Sequence, residues 1–512
     1  MSVERQFMAP ARLVAAGLLA VLAATSFAHG DSSSDVVPAP AADGAQRATV
    51  PSPEYPYLLV DPLRARPGRL DSAAPLPGDT AAIDCTEPVA PPAHPLSLAE
   101  AVDLALCRSP QVQAAWAAIK IQAAGLGQSR AAWLPTANAT LSRLHSQTIY
   151  PGMAASNTSS TGDTAYAGLT WRLFDFGARS ADNESAARLL DAALANHDAA
   201  LQKTLSSVVG DFFDAVSAHA AVRSRADATR YAQETLDATL RREAKGAAPV
   251  SDTLQARAAL AKARLAQQRA VGDLQKALSV LSYACGLAPD GKVDVVEDAP
   301  TEAGQAVADL NHWLEMASTR HPAILAAQAQ VSAAQAKVNA ARAQGMPSID
   351  FSANYYRNGY PNQGIQPVNS STRTVGITLN IPLFEGLART YQIRGAQAQV
   401  EQSQAQLQDT RLQLASTIVK DHSEATAALA NLDASANWLA ASAAAVESAR
   451  RRYDNGAADV LELIAAQASA SEAQQERVRC FSEWRAAKLR LFADAGALGR
   501  LEVAALGHAQ VR

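Results

Sequence analysis

The sequence predicts a mainly α-helical chain that lends two β-hairpins to a membrane β-barrel. Three observations carry that prediction. First, Val375, Ile377, Leu379, Ile381 and Leu383 alternate with Thr374, Gly376, Thr378 and Asn380, giving a strand with one apolar and one polar face. Second, Leu387 to Asn455 contains no proline and only one early glycine, Gly395. Apolar residues recur there every seventh position at Ile393, Val400, Leu407 and Leu414. A four-residue step reaches Ile418, and sevens resume at Ala425, Leu432, Leu439, Val446 and Tyr453. This is a heptad seam with one stutter, on a helix about 100 Å long at 1.5 Å per residue. Third, the same order of breaks and runs occurs twice. Pro110 and Pro322 lie 212 residues apart, as do Pro135 and Pro347. Ala178-Arg179 and Ala388-Arg389 lie 210 apart, as do Gly246 and Gly456, and Gly286 and Gly496. Only the hairpin region absorbs the difference of two, where loops tolerate length change.

The elements follow in chain order. Arg5 and Arg12 precede an apolar run, Leu13 to Ala24, followed by Ser26-Phe27-Ala28. This pattern predicts a cleavable signal peptide over 1–28 and a mature start near His29; the run is too short to span a membrane. Residues 29–95 are rich in proline and alanine without periodicity, and read as an extended or disordered segment. A first repeat, 96–288, opens at Ser97-Leu98-Ala99-Glu100, a capping-box pattern. Ser109-Pro110 starts a second helix, which Trp133-Leu134-Pro135 ends. Hairpin strands are expected at about 134–149 and 164–176, across a Gly/Ser/Thr-rich loop. A helix of roughly 67 residues then runs to Lys245, with Gly246 as its cap, and another runs from about Ser251 to Ala284. The second repeat, 309–498, has strands at about 348–357 and 372–384, and a tail covers 499–512. The apolar faces of the four strands suit a tilted barrel wall in lipid. Four strands cannot close a barrel, and open edges are not tolerated in lipid, so closure needs several chains: two would give eight strands, three twelve.

Composition narrows the function. With 45 Lys+Arg against 49 Asp+Glu and no basic stripe, nucleic acid is not expected as a partner. The sequence contains no HExxH, no Cys-x-x-Cys and no phosphate-binding lysine loop, so we expect no enzyme, no cofactor and no metal. Two helix–helix turns share Gly-Ala-Ala-x-Val: Lys245 to Asp252, and Asn455 to Glu462. Helix capping explains the glycines and leaves the rest of the shared motif unexplained. Cys85 and Cys107 flank the start of the ordered region and are expected to form a disulfide in an oxidising periplasm, with two free thiols as the alternative. Cys285 and Cys480 read as small buried residues.

Four junctions carry a resemblance. Trp133-Leu134-Pro135, Leu173-Phe174-Asp175-Phe176-Gly177, Pro382-Leu383-Phe384-Glu385-Gly386 and Arg452-Tyr453-Asp454-Asn455-Gly456 resemble the TolC family of outer-membrane efflux and secretion ducts, over about Leu96 to Leu498. The stretch Leu106-Cys107-Arg108-Ser109-Pro110-Gln111 is most similar to the cyclolysin-secretion branch. The resemblance implies a homotrimer with one twelve-stranded barrel in the outer membrane and a helical tunnel through the periplasm. It implies docking on a periplasmic adaptor and an inner-membrane ABC transporter or proton-driven pump. It places adaptor docking at the two turns, at Gly246, Val250, Gly456, Val460 and Leu461, and a tunnel constriction at Tyr453, Asp252 and Glu462. Two departures stand out: Ala458 where the family has a gate arginine, and Ala465 where it has a second acidic ring. Type I secretion of a protein substrate is the favoured role, on branch likeness. Small-molecule efflux is the alternative, and a periplasmic coiled-coil adaptor is the alternative of another class, disfavoured because adaptors need no lipid-facing hairpins.

Overall fold

The computed structural model describes residues 63–65, 94–149, 158–288, 293–296, 308–359 and 370–496. The chain divides into two units, Met1–Val60 and Asp61–Arg512, and the described residues all lie in the second. The expected signal peptide, almost all of the 29–95 segment, Cys85, the tail and both hairpin tips lie outside the described residues.

The first half comprises α1 (Leu98–Arg108), α2 (Pro110–Ala131), β1 (Thr136–Thr148), β2 (Thr158–Phe174), α3 (Ala178–Ala244) and α4 (Val250–Ala284). The second comprises α5 (Leu310–Arg320), α6 (Pro322–Ala343), β3 (Ser348–Asn358), β4 (Ser370–Asn380), α7 (Ala388–Asp454) and α8 (Val460–Asp494). Corresponding helices have equal lengths of 11, 22, 67 and 35 residues. The capping box is formed: the Ser97 side chain accepts from the Glu100 N–H, and the Glu100 carboxylate accepts from the Ser97 N–H at 2.9 Å.

The heptad seam of α7 is inward over its length, from half-buried Ile393 to fully buried Ile418, Ala425 and Leu432. A second buried track runs beside it through Ser403, Asp421, Ala428, Ser435, Ser442 and Ala449. Apart from Asp421 the track is serine and alanine, small residues that allow helices to pack closely. Each long helix packs against a different partner along each half of its length. α2 and α4 flank α3, and α6 and α8 flank α7, while α3 also packs on α6 and α8. The short and long partners meet at two joints. Gly286, past the end of α4, abuts Arg108, whose carbonyl oxygen would stand 2.8 Å from an added Cβ; Gly496, past α8, abuts His321.

Two strand boundaries differ from expectation. β2 starts at Thr158, because Gly162 and Asp163 pair with Leu144 and Arg143 in the ladder. Threonine favours pleated structure, so the stretch whose composition suggested a loop is strand. β4 ends at Asn380, short of Phe384, since Pro382 has no N–H to donate to a ladder. Both strand-to-helix corners use two consecutive left-handed residues: Phe176 and Gly177 at φ 48° and 92°, Gly386 and Leu387 at φ 61° and 67°. Each corner has one glycine only, so one L side chain is strained in each.

Cys107 is disulfide-bonded, while Cys285 and Cys480 are free and buried. With Cys85 as its expected partner, thiol labelling of the denatured, unreduced protein will find two reactive cysteines; four would refute the bridge. Closing a loop of about 20 residues contributes about 3 kcal/mol by the chain-entropy argument.

Candidate functional site

The sheet is the first functional surface. Its order is β1-β2-β3-β4, all antiparallel, and the registers stack the apolar residues of all four strands on one face. Ala137, Leu169, Ala353 and Val375 form one cross-strand row, and Trp171, Phe351 and Ile377 another. Val375 and Ile377 are 71% and 69% exposed in the single chain. The opposite face is polar and internally bonded. Tyr166 Oη donates to Asn354 Oδ1 at 2.8 Å, and Arg172 Nε donates to Asp350 Oδ1 at 2.9 Å. A sheet that is apolar outward and hydrogen-bonded inward is built for lipid on one side and water on the other. Among the described residues, no helix is long and apolar enough to cross a membrane.

Below the sheet a buried ion pair ties strand to helix. Arg179 Nε donates to Asp175 Oδ2 at 2.7 Å, with the two side chains 9% and 7% exposed. Arg179 also donates to the Arg172 carbonyl at 2.8 Å and lies 4.3 Å over the Trp133 ring. In the second half Glu385 and Arg389 repeat the pair at 2.9 Å, at a more open site.

The two helical tips lie at the far ends of α3 and α7. Both end in the same hydrogen-bonded turn. Gly246 N–H donates to the Glu243 carbonyl and Ala247 N–H to that of Arg242; Gly456 N–H donates to Tyr453 and Ala457 N–H to Arg452. Glycine supplies the left-handed residue this turn requires, at φ 70° and 74°. The helices that follow start differently. The Asp459 side chain accepts from the Glu462 N–H at 2.8 Å, whereas Pro249 opens α4 without a side-chain cap.

The shared motif hides opposite interiors. Tyr453, Val460 and Leu463 are buried together with Ala449. The equivalent positions in the first tip are Glu243, Val250, Thr253 and Thr239, and there the Thr253 hydroxyl donates to Glu243. With that polar pair in place of an apolar pocket, Val250 is left 59% exposed, while Val460 is 1% exposed. Of the residues expected at the surface, Val250, Leu461, Gly246 and Gly456 are there; the Val460 side chain is core, because Tyr453 and Leu463 close over it. Tyr453 is likewise enclosed, at 4% exposure.

Two arginines, equivalent in the repeat, organise the tips; Arg452 lies within a junction motif, yet motif reading gives neither arginine a role. Arg452 Nη1 donates to Glu462 Oε1 at 2.6 Å, so Glu462 is half of an ion pair. Arg242 crosses from α3: its guanidinium lies 4.3 Å over the Tyr453 ring, and Nη2 donates to the Tyr453 carbonyl at 2.8 Å and the Asp454 carbonyl at 3.2 Å. It thus caps the negative end of α7. Asp252 takes a hydrogen bond from its neighbour Ser251 at 3.3 Å. Their 210-residue spacing was the available signal for these arginines.

The pattern of the outer membrane efflux protein family matches residues 101–287 and again residues 313–497. The chain belongs to this family. Two matches in one chain register the internal duplication directly. Like its family, the chain is an outer-membrane efflux channel that extends into the periplasm, and it is not an enzyme. The chain is 38% identical over 418 residues to Protein CyaE of Bordetella pertussis, covering 81% of this chain and 87% of that one. Its fold is similar to that of the outer membrane protein VceC of Vibrio cholerae, with TM-score 0.67, 20% identity, and coverage of 78% and 96% of the two chains. The CmeC outer membrane channel of Campylobacter jejuni gives TM-score 0.69 at 16% identity, covering 79% and 86%. In this efflux-family chain the apolar sheet face is therefore the lipid face. Trp133, Phe174, Phe176 and Phe384 are exposed at the helix-side end of the sheet, and aromatic residues of this kind suit a membrane–water boundary.

Proposed function

We propose that three copies of this chain form the outer-membrane duct of a type I secretion system. An inner-membrane ABC transporter and a periplasmic adaptor would drive a protein substrate through it. The observation that carries the reading is the 38% identity to Protein CyaE across most of both chains, joined to the branch-like stretch at Leu106 to Gln111. Sheet order supports assembly: β1 and β4 are both open edges and run antiparallel, so β4 of one copy can pair with β1 of the next without a change of sense. Three copies close twelve strands. Adaptor docking uses the exposed tip surface at Gly246, Val250, Gly456 and Leu461, with Val460 supporting it from beneath.

The test is complementation. In a Gram-negative host without its own duct, this chain with a type I exporter, its adaptor and a repeat-toxin cargo should release cargo to the medium. Cargo retained in the cell, with dye resistance restored beside a proton-driven pump, would reverse the reading in favour of small-molecule efflux.

Three Glu462 side chains would stand around one narrow mouth, where converging charge is focused by low-dielectric walls. Each is paired with Arg452, so Glu462→Ala leaves three uncompensated guanidinium groups there. In planar bilayers that variant should lose cation selectivity and most divalent-cation block. Its thermal stability should change by less than about 1 kcal/mol, as expected for an exposed pair. Unchanged selectivity and block would reduce Glu462 to a helix-start residue.

A further inference from the structure

The joint where α6 meets α8 beside α7 contains a polar group that packing does not explain. Asp421 sits on the buried track of α7, three residues past the stutter residue Ile418, and is 2% exposed. Its neighbours Ile418, Trp313, Ala317 and Leu491 form an apolar cluster. Among the described residues nothing donates to Asp421 Oδ2. A buried carboxylate oxygen without a donor is costly. Leu491 of α8 and Ala495 just past its end pack in that cluster with Ile418 and Ala425 of α7, which sets a second acid beside Asp421: Asp494, the last residue of α8. Two ionised carboxylates are acceptors only; one protonated carboxyl supplies the donor both require.

The surrounding charges do not remove the need for that proton. Arg490 on α8 donates to Glu424 Oε2 of α7 at 3.3 Å, and Lys420 on α7 pairs with the same carboxylate at 3.6 Å on the outer side. From α3, Asp214 also draws on Arg490, with Asp211 next to it. At the start of α6, burial lowers the pKa of His321. The repeat sharpens the contrast. Asp211 and Asp214 are the 210-residue equivalents of Asp421 and Glu424, while the equivalent of Asp494 is Ala284. Only the second joint carries the facing pair.

We propose that the Asp494 carboxyl keeps a proton and donates it to Asp421, and that this shared proton fastens α8 to α7 at the joint, so that the joint loosens as the pH rises. Burial first, then the hydrogen bond and charge of Asp421, push the Asp494 carboxyl up to about 7, against Arg490 and Lys420. The folded pKa is raised, so the stabilisation is complete below the ordinary value of 3.8, declines as pH rises, and is gone above about 7. The joint is therefore tight in acid and looser in alkali.

Amide hydrogen exchange on the full protein in detergent tests this, at about pH 6 and about pH 8.5, corrected for the intrinsic chemical rate. In the parent, protection over 487–496 and 316–324 should fall about tenfold or more between the two conditions. In Asp494→Asn the amide donates permanently, and protection should stay constant; Asp421→Asn should behave alike. Equal protection of the parent at both pH values, or a parallel fall in parent and both variants, would overturn the proposal. If neither variant assembles, infrared spectroscopy of the parent decides. A protonated-carboxyl band present at the lower pH and lost at the higher supports the shared proton, and its absence at both refutes it.

Discussion

Replacing Arg179 with alanine will cost about 3–5 kcal/mol of stability, the penalty of stranding a buried charge. The partner left behind is Asp175, enclosed at the corner between β2 and α3 with its side chain 7% exposed. Asp175 also accepts from the Gly177 N–H at 3.3 Å and the Arg179 N–H at 3.2 Å, so backbone donors persist and the loss falls on the side-chain partner. Arg179 further gathers the carbonyls of Arg172, Leu173 and Ala132, which terminate the strand and the preceding helix. The control is Arg389→Ala, the repeat equivalent. Its pair with Glu385 is 27% and 44% exposed, so the loss should stay near 1 kcal/mol. Thermal unfolding of purified protein, read by circular dichroism, separates the two. Equal small losses would refute the buried-pair account.

Arg242→Ala should open the periplasmic tip. Arg242 joins the two helical hairpins through the Tyr453 ring and two terminal carbonyls of α7. Stacking contributes about 0.5–2 kcal/mol and a hydrogen bond from a charged group about 1.5–3 kcal/mol net; the bond to the Asp454 carbonyl is exposed and contributes least. A net loss of about 2–3 kcal/mol moves a closed-to-open ratio by roughly 30- to 150-fold. Single-channel recordings should show a long-lived, higher conductance, and cells should become sensitive to large antibiotics. Arg242→Lys should fall between, since an ammonium keeps the charge but loses the planar fork. Recordings indistinguishable from the parent would show that the contact is incidental.

The long elements were legible because they rest on repetition. The α7 seam follows from apolar sevens, the sheet face from apolar twos, and the duplication from matched prolines and glycines. What stayed hidden depends on partners distant in the chain. The second track of α7, with Ser403, Ser435 and Ser442, carries no apolar signal because small residues that admit close helix packing line it. Val250 and Val460 occupy the same motif, yet their burial is set by whether Thr253 or Leu463 lies opposite. The left-handed Phe176 and Leu387 were invisible to rules that assign such turns to glycine alone. Arg242 reads locally as a helix-end charge; only the packing of α3 beside α8 brings it to Tyr453 at the end of α7.

The pairwise equality of helix lengths restricts how such a chain can evolve. Both 67-residue helices start at the membrane rim and end at a tip, so removing one heptad from either draws its tip back by about 10 Å. The rim of the assembly would become ragged, and a ring-shaped partner could seat on only half of it. A viable change of reach must therefore be made four times at once, in α3, α4, α7 and α8. Such coordinated deletions are rare events in one lineage. Residue substitutions can drift while the ruler stays fixed, and the two-residue slack between the halves is confined to the hairpins, where it alters nothing that a periplasmic partner measures.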